Sequence, residues 1–255
     1  GYDLKMKKLI SAMLGCMLAA APVTAAGSSI STLQAVAASE CIIDTTTEYQ
    51  TIRGFGGINH PEWIGDLTES QRQTAFGNGE NELGLSILRV FVNDDSTQWS
   101  KAVATAKAAQ EKGAIVFASP WNPPADMCEM FDRDGDSSNG NEAKRLRHDK
   151  YAEYAEHLNN FVMFMKENGV NIYAISIQNE PDYGSEWTWW TSDECIDFLE
   201  NYADKIDCRI ISPETFQYNK EYYTKILNSE KAYENVDLFG THFYGVARSR
   251  MDFPV

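Results

Sequence analysis

The sequence predicts an α/β fold, a (β/α)8 barrel, from three observations. Six short apolar runs alternate with longer stretches of helical spacing. The runs are nearly continuous in apolar residues, the mark of parallel strands covered on both faces. Polar and aromatic residues gather directly after the runs: Gly56-Gly57, Asn93, Pro120-Trp121-Asn122, Asn179-Glu180-Pro181, Pro213-Glu214, and His242 with Tyr244. Clustering at the carboxyl ends of parallel strands is the habit of a barrel. An open dinucleotide-binding sheet is the rival, but Gly54, Gly56 and Gly57 do not complete its fingerprint, and no phosphate-loop sequence occurs.

Residues 52–57 read as a strand ending in a glycine turn. Residues 68–83 have helical spacing, and 86–92 (SILRVFV) form a strong strand. An Ala-rich helix over 98–112 leads to a strand over 114–119 (AIVFAS). Residues 147–168 carry Tyr151, Tyr154, Leu158, Phe161, Val162 and Met165 at helical intervals. A strand over 171–178 (NIYAISIQ) follows. Next comes a helix over 192–206, with Ser192 and Glu194 near its start. A short strand over 208–212, a helix containing 222–227 and a strand over 236–242 (VDLFGTH) complete the series. A closed barrel has eight strands, so the chain reads as a barrel truncated after about six, with unpaired strand edges.

The chain has 255 residues, enough for a sizeable core in one large domain or two small ones. Its 22 Lys and Arg stand against 37 Asp and Glu, a formal charge of −15. Such a surface repels nucleic-acid phosphates and anionic lipid, so neither is an expected partner. With 43% hydrophobic and 23% charged residues the chain is globular, not disordered. Twelve Tyr, twelve Phe and six Trp suffice for both a core and a ring-lined groove.

Ahead of the domain, Met6, Lys7 and Lys8 open an apolar run over 9–21, and Val23-Thr24-Ala25 supplies a small-residue cleavage site. This is the pattern of a secretion signal over 6–25, which predicts an extracellular protein. Residues 1–5 read as a start-site artefact and 26–40 as a lead-in. A transmembrane anchor fits less well, because the run is shorter than the ~20 residues that span a bilayer. Cys16 hints at a lipoprotein site, but its upstream positions fit poorly. Past residue 25 the cysteines are Cys41, Cys128, Cys195 and Cys208, which allow three disulfide pairings and match no zinc spacing. Bridges and unpaired thiols both stay open.

Glu180 is the leading catalytic candidate. It follows a buried strand between Asn179 and Pro181, where apolar walls favour a protonated carboxyl and hence a general acid. Glycoside hydrolysis needs a second carboxylate, ~5–5.5 Å away in a retaining enzyme. Glu214, after Ser212-Pro213, is the placed rival, as nucleophile or as an orienting group. Trp121 is a candidate platform under a sugar ring or a plug of the barrel mouth. Tyr183, Trp187, Trp189 and Trp190 follow Glu180, some flanking the leaving group and at least one packing; Trp63 is a further platform in the first loop. Arg89 lies within a strand, where an inward charge needs a carboxylate partner. His242 and Tyr244 are placed to hydrogen-bond the nucleophile or the sugar. Asp132, Asp134 and Asp136 resemble the start of a calcium loop, but Ser137 stands at its glycine position and Ala143 at its twelfth, so a solvated loop is expected.

Six motifs in this order resemble glycoside hydrolase family 30, most of all its bacterial endo-xylanase branch. They are Gly54-Phe55-Gly56-Gly57, Leu88-Arg89-Val90, ASPWNPPADMCE over 118–129, ISIQNEPDY over 175–183, ISPETF over 211–216, and Thr241-His242-Phe243-Tyr244-Gly245. The resemblance covers roughly residues 41–255. It implies a (β/α)8 barrel over 51–255, fused to a side β-sandwich domain to which 41–50 contribute a strand.

It also implies retaining double displacement, with Glu180 as acid/base and a nucleophilic Glu past Val255. Glu214 is then not the nucleophile, and the 255-residue chain alone is expected not to cleave xylan. Asn179 matches the residue that contacts the 2-hydroxyl of the attacked sugar, and Arg89, Trp121 and Tyr244 match residues lining the cleavage subsite. The implied substrate is β-1,4-xylan of the plant cell wall, acted on by a secreted monomer without metal or cofactor. Glucuronic acid recognition falls in late loops, so glucuronoxylan stays unseparated from plain xylan or arabinoxylan. The alternatives are glucosylceramidase or β-1,6-glucanase activity, or a non-catalytic carbohydrate-binding remnant.

Overall fold

The computed structural model describes residues 42, 44–133, 142–184, 187–247 and 249. The chain divides into two units, Gly1–Gln50 and Thr51–Val255. In the first, the Asp44 carboxylate accepts from the Thr46 N–H at 2.9 Å, the Thr46 hydroxyl at 2.6 Å and the Thr47 hydroxyl at 3.0 Å. These bonds make an Asx turn at the start of 44–50, in which an Asp bonds its own following backbone. The secretion signal, the lead-in, Cys16 and Cys41 lie outside the described residues.

In the second unit the chain runs β1 (Gly56–Asn59), α1 (Pro61–Ile64), α2 (Glu69–Phe76), β2 (Ile87–Val92), α3 (Val103–Glu111) and β3 (Ile115–Pro120). It continues through β4 (Cys128–Asp132), β5 (Glu142–Leu146), α4 (Tyr151–Glu167), β6 (Ala174–Ser176), α5 (Ser192–Asn201), β7 (Arg209–Ile211), α6 (Lys220–Asn228) and α7 (Glu230–Glu234). Five strands form one parallel sheet in the order β1-β2-β3-β6-β7, the strand–helix alternation the sequence predicts. β4 and β5 make a separate antiparallel hairpin.

The core lies between this sheet and its helices. Along β2, Leu88, Val90 and Val92 are buried, whereas Ile87, Arg89 and Phe91 are only half-buried. Strand alternation therefore sends Arg89 to the face opposite the helical core. α4 presents Tyr154, Leu158, Phe161 and Met165 at the expected spacing, all wholly buried. Each such side chain contributes about 1.5–3 kcal/mol relative to exposure. α2 and α5 open on capping boxes, Thr68 with Gln71 and Thr191 with Glu194.

Several elements depart from expectation. The first strand starts later, at Gly56, and its glycines belong to the strand. A side chain at Gly56 would meet the Ile87 carbonyl at 1.7 Å, so close approach of β1 to β2 requires glycine there. α2 stops at Phe76 because the chain turns at Gly77. Residues 96–102 form a 3-10 segment before α3. Residues 236–242 make only isolated bridges, Leu238 to Ile211 and Thr241 to Thr215. The Asp237 carboxylate takes the Ile210 N–H at 2.9 Å, replacing a ladder bond with a side-chain bond.

The β4–β5 hairpin brackets the expected calcium-like loop. Asp132 ends β4 and Ala143 is a buried strand residue, while Asp134, Asp136 and Ser137 lie outside the described residues. Among the described residues, no group of three or more His, Cys, Asp or Glu is placed to hold a metal ion. Cys128, Cys195 and Cys208 are free thiols, which removes bridges among these three. Among the described residues, no helix is long and apolar enough to cross a membrane.

Candidate active site

The residues after the parallel strands converge on two buried carboxylates. Glu180 follows β6 and Glu214 follows β7, each 4% exposed. Both have left-handed backbones, with φ of 48° and 57°. A non-glycine residue in that region costs about 1–3 kcal/mol, a strain that persists where the surroundings over-determine the turn. Backbone bonds do so here. Glu180 N–H donates to the Glu214 carbonyl at 3.0 Å, Asn179 N–H to Pro120 at 2.8 Å, and Glu214 N–H to Gly240 at 3.1 Å. Buried Gln178 adds a side-chain tie, donating to the Trp121 carbonyl at 2.7 Å and accepting from Trp190 Nε1 at 3.2 Å.

His242 stands between the two carboxylates. Its Nδ1 is 2.8 Å from Glu180 Oε1 and its Nε2 is 3.0 Å from Glu214 Oε1. Arg89 reaches in from β2, pairing with Glu214 and donating to Asn179 Oδ1 at 2.6 Å and Ser119 Oγ at 3.1 Å. Ser119 Oγ in turn donates to Glu214 Oε2 at 3.1 Å. Both oxygens of Glu214 are therefore engaged. Burial works against its charge, but the Arg89 guanidinium, His242 and a Ser176 hydrogen bond hold its carboxyl below the usual range. Burial likewise works against a charged His242, yet its bonds to Glu180 and Glu214 prevail and raise it to about 9.

An aromatic groove adjoins this cluster. His60, at the end of β1, stacks on Trp63 at 3.9 Å and on Phe91 at 4.1 Å between ring centroids. Trp121 sits edge-on to His60, Trp63 and Phe91 at 5.1–5.6 Å, and the Arg89 guanidinium lies 4.6 Å over its ring. Trp187 closes the far side, 6.5 Å from Trp121. The groove holds about 420 Å³. Three polar atoms of its lining, His60 Nδ1, Trp121 Nε1 and Trp187 Nε1, are buried without a hydrogen-bond partner among the described residues. Apolar ring faces beside free hydrogen-bonding groups suit a ligand with C–H faces and a hydroxyl rim.

No family profile matches the chain. Glucuronoxylanase XynC of Bacillus subtilis strain 168 is 52% identical over 251 residues, 98% of this chain and 58% of the relative. A second glucuronoxylanase XynC of Bacillus subtilis is 57% identical over 219 residues, 86% of this chain and 51% of the relative. Among solved structures, a GH30 endoxylanase from Clostridium papyrosolvens C71 aligns with a TM-score of 0.74 at 47% identity, covering 80% of this chain and 53% of that one. The subfamily 8 xylanase Xyn30A of Clostridium acetobutylicum gives 0.68 at 32%, covering 79% and 52%. The two solved structures are xylanases of glycoside hydrolase family 30, and this chain is similar to each over about four fifths of its own length. Its fold class is the (β/α)8 barrel of these neighbours. It spans about half the length of the relatives it matches.

The structure gathers Arg89, Asn179, Glu180, Glu214 and His242 into one network, with Trp121, Trp63 and Trp187 beside it. Trp121 is 6% exposed and forms a wall, whereas Trp63 is 61% exposed and offers the open ring. Tyr183 lies 5.1 Å from Trp187, and Tyr244 lies 5.8 Å from His242. Trp190 packs in the core and Trp189 lies under Arg133 at 5.0 Å, so these two leave the groove. Glu180 meets a histidine nitrogen, not only the apolar walls expected around it.

Sequence reasoning missed His60, Phe91, Ser119 and Gln178. His60 was hidden by the early placement of the first strand; with β1 ending at Asn59, it is the first residue past a strand end.

His242 gives a pH prediction. Its folded-state pKa lies above the ordinary value of 6.5, so its ionic stabilisation is complete below 6.5 and lost as pH rises through about 9. The thermal midpoint is expected to fall between those values, and His242→Asn to flatten that limb in a melting series. A wild-type midpoint constant across this window would contradict the assignment.

Proposed function

We propose that the protein carrying this chain is a retaining endo-β-1,4-xylanase acting on xylan or glucuronoxylan. The observation that carries the reading is Glu180 at the end of β6, in a strained left-handed turn, bonded to His242 and flanked by the aromatic groove. The identity with glucuronoxylanases supports the substrate class. In this reading Glu180 protonates the leaving oxygen while a nucleophilic carboxylate, assigned by family resemblance past Val255, attacks the anomeric carbon. Glu180, now ionised, then takes a proton from the water that hydrolyses the glycosyl-enzyme.

Glu214 serves as an orienting group. Its oxygens are occupied by Arg89, His242 and Ser119, and the imidazole separates it from Glu180. Arg89 fixes the Asn179 amide, which faces the 2-hydroxyl of the attacked sugar. The run over 9–21 after Lys7 and Lys8 supports export, and we place the protein outside the cell as a monomer.

The test is digestion of glucuronoxylan, arabinoxylan and β-1,6-glucan by the full gene product, followed by product chromatography. Xylo-oligosaccharides of several units are expected, with the β-glucan untouched. Cleavage of the β-1,6-glucan alone, or of none of the three, would contradict the proposal.

A further inference from the structure

Double displacement leaves His242 without a task, yet its ring reaches both buried carboxylates. Nδ1 lies 2.8 Å from Glu180 Oε1, and Nε2 lies 3.0 Å from Glu214 Oε1. The side chains of His242, Glu180 and Glu214 are 15%, 5% and 6% exposed, so little water competes for these contacts. The ring is also anchored through its backbone, where His242 N–H donates to the Thr215 carbonyl at 2.8 Å. The charged and titratable groups that face it are Glu180 after β6, Glu214 after β7, Arg89 in β2, and Tyr244, whose ring centroid is 5.8 Å away.

Each of these nitrogen-to-oxygen contacts holds one proton, because a bare ring nitrogen against a carboxylate sets lone pair against lone pair. Two contacts therefore need two protons. Either the ring carries both, as an imidazolium between two carboxylates, or it keeps only the Nε2 proton while Glu180 carries the other and donates it to Nδ1. The proton count is the same, and the two forms differ by one proton crossing 2.8 Å. The Glu214 end does not join this exchange. Burial opposes a charge on Glu214, but Arg89 pairs with it and holds its carboxyl ionised. Ser119 Oγ donates to its other oxygen, Oε2, at 3.1 Å. The Nε2 proton thus stays on the ring, and the mobile proton lies at the Glu180 end.

We infer that Glu180 and His242 share one proton and work together as the acid of the glycosylation step, His242 storing the proton that Glu180 delivers. The inference rests on the xylanase reading above and deepens the role of its acid. The steps balance. The proton passes from Nδ1 to Glu180 Oε1, and Glu180 gives it to the leaving oxygen as the glycosidic bond breaks. The pair is left as a carboxylate beside a neutral ring. In hydrolysis Glu180 takes a proton from water, the water oxygen bonds to the anomeric carbon, and the bond to the nucleophilic carboxylate breaks; the shared proton is restored. His242 touches no substrate, so it is a positioning residue for the proton. Because two coupled groups hold that proton, it is lost at an apparent pKa of the pair and not of Glu180 alone. Burial opposes a charged ring, but the bonds to Glu180 and Glu214 raise it to about 9, which puts the loss on the basic side.

The test is the pH profile of kcat/KM on xylohexaose in the full gene product, beside histidine-selective nitrogen NMR. In the wild type the basic limb is expected to coincide with the titration of the His242 ring nitrogens. In His242→Asn the limb should move to the acid side by about one pH unit or more, because Glu180 then holds its proton alone. An activated aryl xylo-oligoside, whose phenol departs without a proton, should show no such displacement. A lower rate on xylohexaose with the limb unmoved would show that His242 only holds the loops. No change in rate or limb would show that Glu180 is loaded from solvent alone. Each overturns the inference. Should the variant fail to fold, the wild-type comparison carries the test: a ring that titrates more than about one pH unit away from the limb overturns the shared proton. A wild-type protein inactive on xylohexaose would instead remove the xylanase reading, and the shared acid with it.

Discussion

Glu180→Gln is expected to lower kcat/KM on xylan by about 10²–10⁴-fold, the range for loss of a positioned acid/base. The amide cannot donate the proton that the leaving xylose oxygen needs. It nevertheless keeps an oxygen for His242 Nδ1, which contacts Glu180 at 2.8 Å, and it fills the same space in the left-handed turn. The fold should therefore be kept, with only the Glu180 share of the His242 ionic stabilisation lost, while the rate collapses. An aryl xylo-oligoside with an activated phenol needs no proton on departure, so its glycosylation step should be much less affected. Kinetics on both substrates, beside a melting curve, check the claim. A variant within tenfold of wild type on xylan would exclude Glu180 as the acid.

Arg89→Ala is the second large effect, and it acts on stability. Arg89 and Glu214 form a buried pair whose side chains are 14% and 6% exposed. Removing one partner of such a pair typically costs about 3–5 kcal/mol, because the other charge stays buried and unpaired. Here Asn179 and Ser119 also lose a donor. Introducing Glu214→Gln alongside Arg89→Ala removes the stranded charge, so the double variant should recover part of the loss. Denaturant unfolding midpoints measure both. A loss below about 1 kcal/mol for Arg89→Ala would place the pair among exposed ones.

Much of this arrangement was readable in the residues, because chemistry at the ends of parallel strands is written locally. β2, β3 and α4 carry strong apolar patterns and form close to where the sequence puts them. Glu180 and Glu214 each follow a strand by a few residues, so their placement needed only the strand positions. The hidden parts depend on pairing across the chain. Gly56 reads as a turn until Ile87 lies beside it. The β4–β5 hairpin joins segments too polar to signal strands, and its register pairs Glu129 with Arg145. His242 between two carboxylates is a meeting of three loops, and no spacing within one segment reports it. The role of Glu214 was open between nucleophile and orienting group for the same reason: only its partners, Arg89, Ser119 and His242, show that its oxygens are taken.

The central claim, Glu180 as the acid/base of a retaining site, is tested most directly by azide trapping. Glu180→Ala opens space for a small anion at the position of the lost carboxylate. With an activated aryl xylo-oligoside, the variant should accumulate glycosyl-enzyme, and azide should attack it without needing a general base. The expected result is a rate that rises with azide concentration and a β-glycosyl azide product in the NMR spectrum. An azide-insensitive rate with no azide adduct, or an α-glycosyl azide, would contradict the account.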